Sequence, residues 1–377
     1  MEATIEITSL AHGGDGIGRI EGQVCFVPGT LPGDTVRARV VKQAKRALWA
    51  RSLDVITPSP DRLPLAPAGA ATWLYFAYPA QGTWKQRIVT ELLARIGTVH
   101  VEPEWVEDPA LRLGYRTRAE FHGDGARFGY FAPGTHAVLD TPACPLSHER
   151  LNAALARLRT LRLKGSVTAT VNPEGDDVLV WTGFTNRRLR EAFSQAQSPR
   201  DEGPRASFLF DGVPIVNGTF SQSSLLLNRL LVRVVHECAG TADRLLDLYC
   251  GNGNLSLGLG ERMRVAGYDH NRAAVAAAAT IGRGEYRAGD EAAMARAVAQ
   301  GRWDVIVLDP PRTGAKALAP ALGASAASRI VYVSCDPATL ARDIKTLAGY
   351  GWRVARAVVL DLFPNTPHVE TVCLMAR

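Results

Sequence analysis

Two stretches near the end of the chain hold residue types that can do covalent chemistry. Ser334-Cys335-Asp336-Pro337 follows an apolar run, and His368-Val369-Glu370-Thr371-Val372 lies close to the last residue. A thiolate is a nucleophile and a carboxylate is a base. Val331–Val333 is apolar and β-rich and reads as a short buried strand. Asp336 is a good helix N-cap, Pro337 suits the first helical position, and Ala338 to Leu347 continues as helix. Cys335 therefore stands at the carboxyl end of a strand, just ahead of a helix N-terminus, where a thiol pKa is lowered. Alone, such a cysteine is as readily a small residue closing a strand. Glu370, read as lying on an edge strand, is alone as readily a solvated side chain. Their surroundings separate these readings.

From about Arg205 apolar runs alternate with helical stretches, the pattern of an open α/β sheet. Arg244–Tyr249, Val265–Tyr268, Tyr286–Asp290, Val305–Leu308 and Val331–Val333 read as successive strands. Asp247, Asp269, Asp290 and Asp309 mark strand ends. Cys250-Gly251-Asn252-Gly253-Asn254 is a tight loop through which a ligand can approach the backbone, and Leu255-Ser256-Leu257 is expected to open a helix. An acid at the end of the first strand repels a pyrophosphate and attracts an ammonium. That favours S-adenosylmethionine over a dinucleotide. Asp269 is placed to bind a ribose diol. In Asp309-Pro310-Pro311-Arg312 the prolines fix a rigid turn. Asp309 can accept from a base edge, and Arg312 can hold a phosphate or a neighbouring acid.

This set suits one reaction. Carbon 5 of uracil is a poor nucleophile until a thiolate adds to carbon 6. The route needs a cysteine, a base, a methyl donor and polar groups at the uracil edge.

The N-terminal region reads differently. Residues 1–56 alternate and turn like a small β-barrel, with Ile5–Ile7, Gln23–Val27 and Thr35–Val41 as strands and Ala11–Gly18 as a glycine-rich loop. Between Asp34 and Asp54 stand Arg37, Arg39, Lys42, Lys45, Arg46 and Arg51 with Trp49 among them, and no acid. Basic residues with an interleaved aromatic suit single-stranded nucleic acid. Residues 57–204 open on a proline-rich linker. They continue through a helix at Gln86–Ile96, strands at Gly114–Phe121 and Arg127–Phe131 joined by a turn at His122–Gly125, and a helix at Leu151–Leu163. This reads as an α+β domain with arginine and aromatic decoration, able to hold RNA phosphates and stack bases.

The 377 residues carry a formal charge of +6, 46% hydrophobic and 21% charged residues, a balance that permits real cores and an anionic partner. No apolar run is long enough to span a bilayer, and the first residues lack a signal peptide's pattern, so a cytoplasmic protein is expected. The six cysteines form no C-x-x-C pair, which argues against a disulfide framework or a zinc ribbon. No metal site and no obligate protein partner are expected.

Together S-C-D-P, D-P-P-R-T-G, D-L-Y-C-G-N-G-N, F-S-Q and H-V-E-T-V resemble the S-adenosylmethionine-dependent RNA uracil-5-methyltransferase family. L-A-H-G-G-D-G-I-G-R and V-F-V-P-G-T-L-P-G-D resemble the TRAM module, an OB-like RNA-binding barrel. The resemblance covers nearly the whole chain. It implies a Rossmann-like methyltransferase domain at 205–377 behind a TRAM barrel at 1–56 and the central domain at 57–204, whose early helix can pack on the catalytic domain. It also implies Cys335 as nucleophile and Glu370 as proton acceptor. Gln222, Tyr249, Gly251, Asn254, Asp269, Asp290 and Asp309 are the implied cofactor contacts, and Asp309 and Arg312 the implied substrate contacts. Asp269 stands where the family often has Glu, and Ser224 where Asn is common. Some ribosomal members carry a four-cysteine iron–sulfur site. Here only Cys144 matches a ligand, so no cluster is expected. The TRAM-like start favours ribosomal RNA over transfer RNA. A cytosine-5 methyltransferase would carry Pro-Cys or Thr-Cys motifs, and a non-catalytic RNA-binding relative would have lost Cys335 or Glu370.

Overall fold

The computed structural model describes all residues, 1–377. Its largest sheet has eight strands in the order Glu285–Ala288, Arg264–Asp269, Arg244–Leu248, Val305–Leu308, Arg329–Ser334, Glu370–Ala376, Arg353–Leu360 and Glu104–Val106. All neighbours are parallel except Glu370–Ala376, which is antiparallel to both of its own. Val305-Ile306-Val307-Leu308 is buried at every position. That continuous apolar run is what a parallel strand covered on both faces requires. Alternate residues feed two cores: Val305, Val307, Val331 and Val333 on one face, Ile306, Leu308, Ile330 and Tyr332 on the other. The arrangement is the Rossmann-like α/β architecture expected.

Glu370 therefore begins an interior strand, not an edge strand, and is only 4% exposed. The edge position falls to Glu104–Val106, which pairs with Val358–Leu360. The helix expected at Gln86–Ile96 runs Tyr78–Leu92 and ends in a wider turn, Leu93–Gly97. It packs on the helix Pro337–Ala348 and on Arg353–Leu360. Residues 57–204 are thus not one packed unit, because 78–106 is built into the catalytic body. Lys85 carries this attachment. Its amine donates to Asp361 Oδ1 at 2.7 Å and to the Phe363 carbonyl at 3.0 Å, while Tyr78 Oη donates to Asp361 Oδ2 at 2.7 Å.

The central sheet has six strands in the order Val138–Asp140, Phe128–Phe131, Arg118–Asp124, Lys164–Val171, Val178–Thr182 and Ala196–Gln197. The helix Glu149–Thr160, shorter than the expected Leu151–Leu163, covers one face with Leu151, Leu155 and Leu158. His122 and Gly123 belong to a strand, and the turn falls at Asp124–Arg127, whose amides at Ala126 and Arg127 donate to Asp124 Oδ1.

The N-terminal barrel has strands Glu2–Glu6, Ser9–Leu10, Gly16–Ile20, Gln23–Val27, Thr35–Ala44 and Ala47–Thr57. The first strand starts earlier than expected, and the end of the glycine-rich stretch, Gly16–Gly18, is strand rather than loop. Two of the six basic residues are already paired, Arg37 with Asp54 and Arg39 with Glu2. Lys42 lies 4.8 Å from the Trp49 ring, which stacks on Phe26. Leu10 and Leu31 of the barrel share a core with Trp73, Phe76, Ile88 and Leu92. The loop at Gly14 meets the catalytic body so closely that a Cβ there would lie 2.7 Å from Pro367 Cβ. No helix is long and apolar enough to cross a membrane.

Candidate active site

The predicted site residues gather at one edge of the eight-stranded sheet. Tyr249, Asp269, Asp309 and Cys335 close or directly follow parallel strands, and Glu370 opens the antiparallel one, so all five reach the same edge. Open α/β sheets bind ligands at that carboxyl edge. A cavity of about 1830 Å³, part of it open to solvent, lies there. Gln222, Tyr249, Gly251, Asp269, Asp290, Asp309, Arg312, Cys335 and Glu370 all line it. Asn254 lies in an adjoining recess shared with Gln222, Gly251 and Asp309. There it exchanges two hydrogen bonds with Asn228, at 2.7 and 2.9 Å.

The first loop is shaped by its backbone. Tyr249 has φ 59° and Gly251 φ 53°. The left-handed conformation costs a non-glycine residue of order 1 kcal/mol, and it turns the chain sharply out of the sheet. Tyr249 Oη then donates to Glu291 at 2.8 Å. A Cβ on Gly251 would meet nothing within 4 Å, so its backbone faces open space. Its amide donates to Asp269 Oδ2 at 2.9 Å, and the Asn271 amide to Asp269 Oδ1 at 2.7 Å. A carboxylate has about four lone-pair sites, so Asp269 keeps capacity for a diol. The expected helix after this loop is only one short turn, Leu257–Leu259. Asp290 lines the cavity and also caps the helix Glu291–Gln300 through Ala293 N.

Asp247 departs from expectation. It is fully buried behind the cavity and accepts from Ser256 Oγ at 2.5 Å. Burial pushes its carboxyl up to about 8. It does not line the cavity, so the structure does not place it for the ammonium contact expected of it. Ser224, where the family often has Asn, caps the helix Leu225–Ala239 by accepting from Leu227 N at 3.0 Å.

Around Cys335 the groups oppose one another. The thiol is half-buried, and burial pushes it up to about 11, with the Glu370 carboxylate adding to the rise and Arg312 opposing it. The expected lowering by the helix N-terminus is not found. Asp336 occupies that terminus, accepting from Ala338 N at 3.0 Å and Thr339 N at 2.9 Å. Burial likewise lifts Glu370 well above the carboxylate range, Asp309 adding to the lift and Arg312 opposing it. Burial and then Asp269 push Asp309 up to about 7. A buried carboxylate held high is a stronger base than a solvated one.

Several lining residues were not foreseen. Arg118 comes from the central sheet, Phe220 stands 67% exposed at the mouth, and Phe363 follows the Lys85–Asp361 pair. Nothing local in the sequence marks Arg118 or Phe363. Phe220 stands in the F-S-Q string that carries Gln222.

Residues 1–53 match the TRAM domain family, and residues 297–377 match the tRNA (Uracil-5-)-methyltransferase family. A 23S rRNA (uracil(1939)-C(5))-methyltransferase of Chromohalobacter salexigens is 31% identical over 99% of this chain and 89% of its own length. The chain belongs to the RNA uracil-5-methyltransferase family. An uncharacterized RNA methyltransferase of Gloeobacter violaceus is 32% identical over 99% of this methyltransferase and 96% of its own length. Among solved structures, the tRNA (uracil-54, C5)-methyltransferase of Pyrococcus abyssi, in complex with S-adenosyl-L-homocysteine, shares the fold across 100% of both chains, with a TM-score of 0.79 and 24% identity. The reaction of this methyltransferase is methylation of uracil carbon 5 in RNA with S-adenosylmethionine as donor.

The raised thiol gives a direct test. Modification of Cys335 by iodoacetamide is expected to quicken about ten-fold per pH unit between about pH 7 and 10, because the thiolate fraction rises in that proportion below the pKa. The other five cysteines are buried and should lag. Arg312→Ala should slow the reaction at each pH. A rate already flat from neutral pH would show a stabilised thiolate instead.

Proposed function

We propose that the protein methylates a uridine of 23S ribosomal RNA in the cytoplasm through a covalent bond from Cys335 to the base. The observation carrying this reading is the convergence of Cys335, Arg312, Asp309 and Glu370 on one cavity with the donor-side strand ends. Gln222, Tyr249, Gly251, Asn254, Asp269 and Asp290 would hold S-adenosylmethionine, which when bound supplies an electrophilic methyl group. The open backbone at Gly251 and the spare lone pairs of Asp269 fit an adenosine-bearing ligand. The barrel of residues 1–56 and the central sheet hold the RNA around the site.

The reactive uracil must leave its stack to enter the cavity. Asp309, neutral or ionised near pH 7, donates to or accepts from the uracil edge. Arg312 steadies the negative charge at the thiolate and then on the ring. The Cys335 thiolate adds to carbon 6, and the electron pair of the ring double bond moves toward the oxygen on carbon 4. Carbon 5, now nucleophilic, would take the methyl group as the donor's sulfur–methyl bond breaks, the electron pair staying on sulfur in S-adenosylhomocysteine. The Glu370 carboxylate removes the carbon-5 proton. The electrons of that bond re-form the ring double bond, and the carbon–sulfur bond breaks to release thiolate.

The test is incubation with labelled S-adenosylmethionine and either 23S rRNA or tRNA transcripts, followed by mapping of the label. Label on carbon 5 of one rRNA uridine is expected. Label on tRNA alone would move the substrate, and label on cytosine or on neither RNA would sink the proposal. The ribosomal assignment draws on relatives named for 23S rRNA at 29–31% identity, such as that of Methylococcus capsulatus.

A further inference from the structure

The N-terminal barrel touches the catalytic body beside both reactive side chains. Its loop Ala11–Asp15 is closed on itself, with Gly14 N donating to the Ala11 carbonyl at 2.9 Å and Ala11 N to the Asp15 carbonyl at 2.8 Å. Leu10, 3% exposed, enters a core that includes Trp73 and Phe76, and Ala338 packs against that same core. Ala338 stands in the first turn of the helix that Cys335 precedes. His12 Nε2 lies 3.8 Å from Asp336 Oδ2, while Oδ1 of that carboxylate caps the helix. Gly14 faces Pro367: a Cβ on Gly14 would lie 2.7 Å from Pro367 Cβ and 3.0 Å from Trp73 Nε1. With φ 95° as well, the position suits glycine alone.

The turn that leads into Glu370 is itself anchored. Asn365, left-handed at φ 60°, donates its amide to Gln81 Oε1 at 3.0 Å, and its carbonyl accepts from Trp73 N at 3.0 Å. Gln81 Nε2 donates in return to Asn365 Oδ1 at 3.1 Å. Pro367 follows this anchor and meets the Gly14 backbone three residues before the base. Asp336, which His12 approaches, comes one residue after the nucleophile. The Pro367 ring is rigid and Trp73 is 2% exposed, so neither can swing away from an added atom at Gly14. Close-packed interiors transmit such strain, and a shift of about 1 Å at a reacting group can cost about 10²-fold in rate.

We propose that this part of the barrel is a positioning brace for the reaction: Leu10, His12 and Gly14 set where Cys335 and Glu370 stand across the cavity. This role is separate from any hold the barrel has on RNA. Two observations carry it. The barrel meets a close sequence neighbour of each reactive residue, and it does so through a glycine backbone and a buried leucine, which have nothing to offer a nucleotide. The inference rests on Cys335 and Glu370 acting as nucleophile and base, and adds what holds them in place.

The test uses full-length enzyme carrying Glu370→Gln with saturating RNA and S-adenosylmethionine, and follows the Cys335–RNA adduct in a single turnover. The amplitude of the adduct counts folded enzyme, and its rate reports the placement of the thiol. Adding Gly14→Ala is expected to slow the adduct about ten-fold or more, with amplitude and RNA affinity unchanged, and to lower kcat alike when Glu370 is restored. Gly13→Ala puts similar left-handed strain, at φ 105°, where a Cβ meets nothing within 4 Å. It should slow the adduct by no more than about two-fold, because strain without a contact leaves the catalytic loops in place. His12→Ala, which inserts nothing, should slow the adduct by up to about five-fold, the scale of one exposed ion pair. An unchanged adduct rate in Gly14→Ala, or an equal slowing in Gly13→Ala, would overturn the brace. So would a loss of amplitude alone, which would mean impaired folding, or a raised RNA KM at unchanged rate, which would make the loop an RNA contact. If Glu370→Gln by itself forms no adduct with any RNA, the functional reading fails and the brace with it.

Discussion

Glu370→Gln is expected to halt the enzyme with its RNA still attached through Cys335. The amide is nearly the shape of the carboxylate but cannot take the carbon-5 proton. Addition of the thiolate and transfer of the methyl group precede that proton removal, so the adduct forms and cannot eliminate. A positioned base contributes about 10²–10⁴-fold, and turnover should fall by that range. Labelled RNA should migrate with the protein on a denaturing gel in proportion to enzyme added. Cys335→Ala, in the wild type or beside Glu370→Gln, should abolish both turnover and adduct. An adduct that survives Cys335→Ala would mean another nucleophile. A Glu370→Gln enzyme turning over at half the wild-type rate would mean another base. Burial on its interior strand lifts Glu370 above the carboxylate range, and Arg312 opposes that lift, favouring the ionised form that alone can take the proton.

The second large effect concerns stability. Lys85 is 1% exposed and Asp361 is fully buried, and their 2.7 Å pair joins the helix Tyr78–Leu92 to the segment that ends at Glu370. Lys85→Met is expected to lower unfolding free energy by about 3–5 kcal/mol, because it leaves a buried carboxylate without a counter-charge. The loss should appear as a lower denaturant midpoint. Adding Asp361→Leu should recover most of it, since a buried pair exchanged for apolar side chains is often neutral. A loss under about 1 kcal/mol for the single variant would show that Asp361 finds water or another partner. Phe363, whose carbonyl accepts from Lys85, lines the cavity. The surviving folded fraction of Lys85→Met should therefore also show a raised KM for RNA, while Arg87→Met on the exposed side of the same helix should change neither quantity.

The contrast between these two sites shows where sequence is informative. The cap Asp336-Pro337, the rigid Asp309-Pro310-Pro311 turn and the runs Val305–Leu308 and Val331–Val333 are legible because their causes are local. A capping carboxylate, a locked φ and an unbroken apolar run act over a few residues; the structure places the cap and the two runs as read, and sets the turn just after the prolines, where Gly314 N donates to the Pro311 carbonyl. The gathering of Cys335, Glu370, Asp309 and Asp269 was legible for the same reason, since each sits at a recognisable strand end. Tertiary packing decided the rest. It put Glu370 on an interior strand by adding Glu104–Val106 at the edge, a pairing between residues some 250 positions apart. It withdrew Asp247 from the cavity and raised the Cys335 thiol rather than lowering it, because desolvation depends on everything packed around a group. It also brought Arg118 to the cavity, and Lys85 to its buried pair with Asp361, from earlier in the chain. Residue type and spacing name the groups that can react. Their charge state, and the distant residues that face them, are properties of the closed fold.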